Sequence, residues 1–440
     1  MPTHSFAGPS SSADVATSLA SRICDREAGP GRLLTLQTSV EDIVSWRGSF
    51  LAYPDLAAGD DQLQGLMVSL LDKGTEQRDR FELAQVLEDC GAKLNLSSDG
   101  LYVDVSGRAL TTDLPRVMDV LAEMLQAPSF EEAEFRKARA QAIAEVQRQM
   151  EKTGAQASSA LSRRLFGPGH PNYSTEPQEA LRRLQQCTVE DVRAYHAEHV
   201  GATEWTLAVV GDLDHDRVES VVAGAFEGWG DHNAEPTHET EALSEAEPGR
   251  SVVPMPDKSN VDVRMGHGLP IRRDHEDYPA LYVGNYILGG NFAARLMNIV
   301  RDEKGLTYHI GSGLSGITTL YSGYWQVRVT LSHDALETGI AATMEVVRDF
   351  VSGGASEEEL VDKKTTITGS YTVGLATTQR LARSILTNAE RGFDTAYLDQ
   401  FPEEIASLTL EQVNEAVRRY LRPDAIHEAL AGVAADPAEV

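Results

Sequence analysis

Cysteine is nearly absent from this 440-residue chain, which holds only Cys24, Cys90 and Cys187. An odd, widely spaced set excludes a disulfide framework and a cysteine-based zinc motif, and leaves buried, inert thiols as the expectation. No apolar run approaches the ~18 residues that a membrane helix needs. No basic segment leads into an apolar stretch, as a secretory leader would. The expectation is a cytoplasmic protein that does not enter a membrane. Basic residues are also scarce: 39 Lys and Arg stand against 67 Asp and Glu, a net charge of −28. Phosphate binding needs clustered cations, so a nucleic-acid partner is excluded. Two origins of the acidity stay open. One is life in high salt, where repulsion is screened; the other is an ordinary acidic bacterial protein.

What is present is globular in kind, with 41% hydrophobic and 24% charged residues. The chain is too long for one typical core, so at least two domains are expected. Residues 1–30, rich in Ser, Ala, Gly and Pro, read as a flexible tail or linker, with a short helix an option at Val15–Ile23. Leu34, Leu36, Ile43, Val44 and Trp46 predict two short strands around a polar turn. Leu63, Leu66, Met67, Leu70 and Leu71 recur at helical spacing. Gly91 reads as a helix C-cap, and Leu101, Val103 and Val105 alternate as a half-buried strand. Further helices are predicted at Leu114–Leu125 and Glu131–Glu151, and another begins at the Thr188 cap.

Residues 229–252 are acidic and almost without apolar side chains, which predicts a solvated linker between a first domain, 31–228, and a second, 253–440. After the linker the order of elements recurs. Val261–Met265 parallels Ile43–Trp46, and Gly305–Ser312 echoes Gly91–Ser98. Tyr324–Leu331 with its following helix echoes Tyr102–Leu125. Ser356–Leu360 matches Phe130–Phe135, and Thr409–Val413 matches Thr188–Val192. The fold class expected is α+β: two tandem homologous α/β-sandwich domains, each a sheet with helices packed on it.

The stretch Gly65-Leu66-Met67-Val68-Ser69, followed by Lys73-Gly74-Thr75, resembles the zinc-site helix of the insulinase/pitrilysin-type metallopeptidases, the inverted zincins. Their helix carries H-x-x-E-H just before a K-G-T turn. Register on that turn puts Gly65 and Ser69 where the two histidines belong and Val68 where the catalytic glutamate belongs. A zinc ligand must offer a lone pair and a general base must accept a proton; Gly and Val side chains do neither. Glu145 falls where the resemblance places the third ligand. Alone it cannot form a three-ligand site, and it reads as a relic or a helix-surface charge.

The duplication, the K-G-T turn, Gly211-Asp212 and Leu288-Gly289-Gly290 together extend the resemblance over nearly all of residues 33–425. The chain is similar to one half of a clamshell peptidase in which two such halves enclose a peptide chamber and one half carries zinc. The resemblance also implies that an Arg and a Tyr seven residues apart, here Arg301 and Tyr308, reach across to the scissile peptide. A guanidinium and a phenol are fixed donors for the negative charge that hydrolysis builds. The plainer alternatives are an Arg301 ion pair with Asp302 or Glu303, and core or edge packing of Tyr308.

The expected function is a non-catalytic subunit or half of a zinc metalloendopeptidase. It would bind extended peptide by strand addition and donate Arg301 and Tyr308 to the zinc site of an H-x-x-E-H homologue. The resemblance thus expects no cofactor in this chain and zinc in its partner, with a homodimer as the arrangement in isolation. The alternative is an assembly protein of the same fold with no role in proteolysis. A third reading, a metal site at His196 and His199, lacks a third ligand. Asp212, Asp214, His215 and Asp216 read as turn residues, and Trp46, Trp205, Trp229 and Trp325 as core.

Overall fold

The computed structural model describes residues 18–52, 54–201, 203–230, 238–243 and 247–433. Its first sheet contains β1 (Ile23–Ala28), β2 (Gly31–Gln37), β3 (Ile43–Leu51), β4 (Lys93–Ser98), β5 (Tyr102–Leu110) and β6 (Thr206–Gly211), in the order β1-β2-β6-β3-β5-β4. The second contains β7 (Arg250–Pro254), β8 (Asn260–Gly268), β9 (Thr307–Ser315), β10 (Tyr324–Ser332) and β11 (His427–Val433), in the order β7-β11-β8-β10-β9. The two orders superimpose once β1 is set aside. Each sheet has one parallel pair, β2 with β6 and β7 with β11, and is otherwise antiparallel. The long-range partner, β6 or β11, inserts beside the first strand of its repeat, so β2 and β3 follow one another in sequence without pairing.

Among the described residues eight helices precede the second sheet: α1 (Asp60–Val68), α2 (Arg80–Asp89), α3 (Leu114–Gln126), α4 (Glu132–Met150), α5 (Thr153–Leu165), α6 (Pro177–Gln186), α7 (Val189–His199) and α8 (His215–Ala225). Six more belong to the later part: α9 (Tyr278–Gly289), α10 (Leu336–Gly353), α11 (Glu357–Gly374), α12 (Thr378–Glu390), α13 (Tyr397–Ser407) and α14 (Leu410–Tyr420). The repeat is visible down to the caps. Thr188 before α7 and Thr409 before α14 each close a capping box, with Asp191 and Gln412 as the reciprocal partners. None of the described helices is long and apolar enough to cross a membrane.

Two expectations need correction. Residues 23–28 are not tail but strand β1, paired antiparallel to β2 from Ile23–Leu36 to Ala28–Gly31. Its sequence, ICDREA, lacks clean alternation, and the pairing with β2 supplies what the pattern does not show. The acidic stretch is also not simply solvated where it is described. Glu239 N donates to Gly169 O, Ser322 N donates to Thr240 O, and Glu241 pairs with Arg272 at 3.0 Å. Backbone hydrogen bonds dock it, which hydropathy does not record.

Each half has its own core. Trp46, Phe50, Met67, Leu121, Phe135 and Trp205 centre the first, and Val263, Leu281, Leu288, Trp325 and Phe350 the second. All four tryptophans are buried. The halves then exchange helices. From the first half, α5 lies on the second sheet, with Leu161, Leu165 and Phe166 clustered around Ala429. From the second half, α12 lies on the first sheet, where Leu381, Ala382, Ile385 and Leu386 cover Leu34, Leu36, Ala208 and Val210. Polar anchors fix the α5 seam: Thr153 Oγ1 donates to Asp262 at 2.6 Å and Arg264 Nε to Ser158 at 3.0 Å. Burying a leucine or isoleucine this way contributes about 1.5–3 kcal/mol each, so each sheet depends on a helix from the other half.

Candidate functional site

Helix α1 holds the zinc-helix positions and ends at Ser69. Gly65 is exposed, and a Cβ built there meets nothing within 4 Å. Ser69 Oγ donates back to Leu66 O at 2.7 Å, a local bond that spends its one proton on the helix end. Val68 is 5% exposed and packs into the first core. Glu145, on α4, accepts from Arg148 Nε at 3.0 Å and from Gln149. The Arg148 guanidinium, and then the Gln149 amide, hold its carboxyl below the usual range. A glycine, a back-bonded serine, a buried valine and an ion-paired glutamate do not fit a zinc ion, which takes three protein ligands with lone pairs. Among the described residues no group of three or more His, Cys, Asp and Glu side chains is placed to hold a metal.

The Arg301–Tyr308 pair belongs to the other half. Arg301 sits in a wide helical turn, Met297–Glu303, in which Lys304 N reaches back five residues to Ile299 O at 3.0 Å. Such π-type turns are rare and are frequent at functional sites. Tyr308 lies near the start of β9, an edge strand. The β9–β10 register slips between Val329 and Leu331, so Tyr308 and His309 together face Thr330. The bulge breaks the usual alternation and leaves both neighbours exposed, Tyr308 by 86%. The Arg301 guanidinium lies 5.5 Å from the Tyr308 ring centroid and 3.6 Å from Asp302. At that distance the Asp302 contact is a weak surface pair. Core packing of Tyr308 is excluded by its exposure. The strand is held from behind by the L-G-G turn: a Cβ on Gly289 would stand 2.5 Å from Ser312 N, so only glycine permits this approach.

The other motifs resolve into structure. His196 Nε2 lies 2.8 Å from Leu125 O and His199 stacks on Tyr195, so the pair is not a ligand set. Asp214 caps α8 through Arg217 N at 2.8 Å, and Asp212 accepts from Asp42 N at 3.0 Å. Cys90 is buried, while Cys24 and Cys187 are half-buried; burial pushes the Cys187 thiol up to about 11.

Residues 66–175 match the family described as insulinase (peptidase family M16), and residues 186–367 match the peptidase M16 inactive domain. The chain belongs to peptidase family M16. It is similar to an uncharacterized zinc protease of Streptomyces coelicolor, at 25% identity over 80% of this chain and 76% of that one. It is also similar to the non-peptidase homolog YmxG of Helicobacter pylori, at 22% identity over 81% of each chain. In fold it matches the crystal structure of a peptidase M16 inactive domain from Pseudomonas fluorescens. The TM-score is 0.84 and the identity 24%, covering 94% of this chain and 99% of that one. Gly65 and Val68 offer no zinc donor, the later matched model is described as an inactive domain, and one relative is named a non-peptidase homolog.

Sequence reasoning missed two features of the M16 chain. A cavity of about 280 Å³ touches Asp61, one turn before Gly65, together with Asp99, His170 and Tyr173. At the seam of the halves, Ser49 Oγ donates to Glu390 at 2.7 Å. Burial, then Asp104 and Asp99, push the Glu390 carboxyl up to about 7, and burial with Asp99 pushes Asp104 up to about 6. No local pattern marks either feature, because each joins residues from distant segments.

Proposed function

We propose that this chain is the non-catalytic half of a zinc metalloendopeptidase. It would form a peptide chamber with a homologous half that carries H-x-x-E-H and the zinc, and would bind peptide as an added strand. Arg301 and Tyr308 would act in trans, binding the developing oxyanion at the partner's metal. One observation carries the reading: the bulge in β9 holds a tyrosine hydroxyl out from the protein, with a guanidinium beside it, on a strand fixed by glycine packing. A side chain kept for packing would not stand 86% exposed on a reshaped edge. The partner half would supply zinc and the water it activates; this chain would supply two fixed donors.

The test is a reconstituted pair of this chain with an H-x-x-E-H homologue, assayed on a quenched peptide. Arg301→Ala and Tyr308→Phe should leave assembly on a sizing column intact while lowering turnover. Loss of one preorganised oxyanion donor costs ~10²–10³ in rate. Unchanged turnover in both variants would favour the assembly-protein reading, in which no side chain of this chain reaches the scissile bond.

A further inference from the structure

The acidic linker is strapped down, and the strap leaves a space behind it. Leu243 N donates to Leu165 O at 2.8 Å, and Ala242 N to Ser322 Oγ at 3.1 Å. A Cβ on Gly268 would stand 2.6 Å from the Ala242 Cβ, so glycine at the end of β8 lets the strap lie this close. Between the strap, the end of α5, the end of β8 and the turn after α14 lies a cavity of about 430 Å³. That is within the ~300–1,000 Å³ of small-molecule sites, which favour the joints between domains.

The lining divides by character. Leu165, Leu243, Leu269 and Pro270 give it an apolar wall, and Leu243 is left 47% exposed there. The polar side lies at the turn after α14. His267 is fully engaged: its Nδ1 donates to Gly268 O at 2.9 Å, and its Nε2 accepts from Arg422 N at 3.1 Å. Burial holds its pKa down to about 4, so the ring is neutral near pH 7. Of the charged groups on the lining, Glu241 pairs with Arg272 at 3.0 Å and Arg419 with Asp277 at 2.8 Å. Arg422 remains, in no ion pair among the described residues. One uncompensated cation therefore borders an apolar cavity.

We propose that this cavity binds an amphipathic carboxylate, its apolar body against Leu165, Leu243, Leu269 and Pro270 and its carboxylate on the Arg422 guanidinium. A guanidinium fork matches the two oxygens of a carboxylate. The C-terminus of an apolar peptide and a free aliphatic acid share this chemistry. The site does not rest on the peptidase reading. Its ligand would touch α5 of the first half, the strap and the second half together, so binding should raise the melting temperature of the whole chain.

The test titrates the whole chain at pH 7 with octanoate in one arm and N-acetyl-leucyl-leucine in the other, each against its neutral amide. On a chain of net charge −28 an anion is repelled on average, so a preference for acid over amide reports the local cation. Saturable heat and a higher melting temperature are expected with at least one acid, and the arm that binds more tightly names the source. Arg422→Gln should weaken the acid at least about threefold and leave the amide unchanged. Leu243→Ser should weaken acid and amide alike by about tenfold. Both positions are exposed, so both variants should fold. No saturable response to either acid, amides that bind the parent as tightly as the acids, or binding unchanged in both variants would overturn the site.

Discussion

Helix α1 and the Arg301 turn occupy the same family framework and have fared in opposite ways. On α1 the polar machinery is gone: the first position has no side chain, the second is buried in the core and the third bonds to its own helix. In the second half Arg301 and Tyr308 are present, and the backbone around them is unusual in two respects, a π-type turn and a β-bulge. Local backbone distortion costs free energy and persists where something maintains it. The comparison teaches that a helix without zinc donors at Gly65 and Val68 is settled into the core, while the backbone around Arg301 and Tyr308 stays unusual. Those are the two residues to which the proposed function assigns a role in trans.

The largest expected effect on stability tests how completely α1 has been absorbed into the core. Val68→Glu would put a carboxylate among Leu66, Met67 and Leu70 and should cost about 3 kcal/mol, read as a lower urea midpoint. If Val68→Glu is neutral, α1 still presents an open catalytic face, and the contrast with Arg301 and Tyr308 weakens.

A second prediction sharpens the comparison at the seam, where Ser49 of the first half donates to Glu390 of the second and Asp104 adds its charge. Both carboxyls have raised pKa values, chiefly from burial, so the folded state holds protons that the unfolded chain has released. That contribution is fully present below the ordinary carboxylate range and is lost as pH rises toward about 7, the Glu390 value. Arg47 and Arg383 face Asp104 and limit the effect. Parent stability relative to Glu390→Gln should fall by about 2–3 kcal/mol between about pH 4 and 8. Parallel pH profiles for parent and variant would show that the seam does not hold a proton.

The smallest effect is expected at Gly65. It is exposed with open space beside it, so Gly65→His should change stability by less than about 0.5 kcal/mol, or raise it slightly through better helix propensity. A marked loss would mean that a neighbour needs the gap, and that α1 differs from Arg301 and Tyr308 for a reason other than lost ligands.

Much of this was legible from the chain. The recurrence of strand, turn and helix located the second repeat, and the family resemblance was carried by short motifs such as Lys73-Gly74-Thr75. Periodicity and turn residues are local, so they survive reading one residue at a time. The exposure of Tyr308 was not legible, since alternation along β9 gives no sign that a bulge at Thr330 turns two neighbours outward. Nor was β1, whose irregular pattern becomes a strand only beside β2.

The sequence by itself determined the family and the repeat, because short motifs and the order of elements are written along the chain. Only the tertiary structure decided that α5 and α12 cross to each other's sheets, that Ser49 bonds to Glu390 across the seam, and that a bulge turns Tyr308 outward. Each of these brings together residues far apart in the chain. Their energies arise from shared burial and proximity, which no single segment contains.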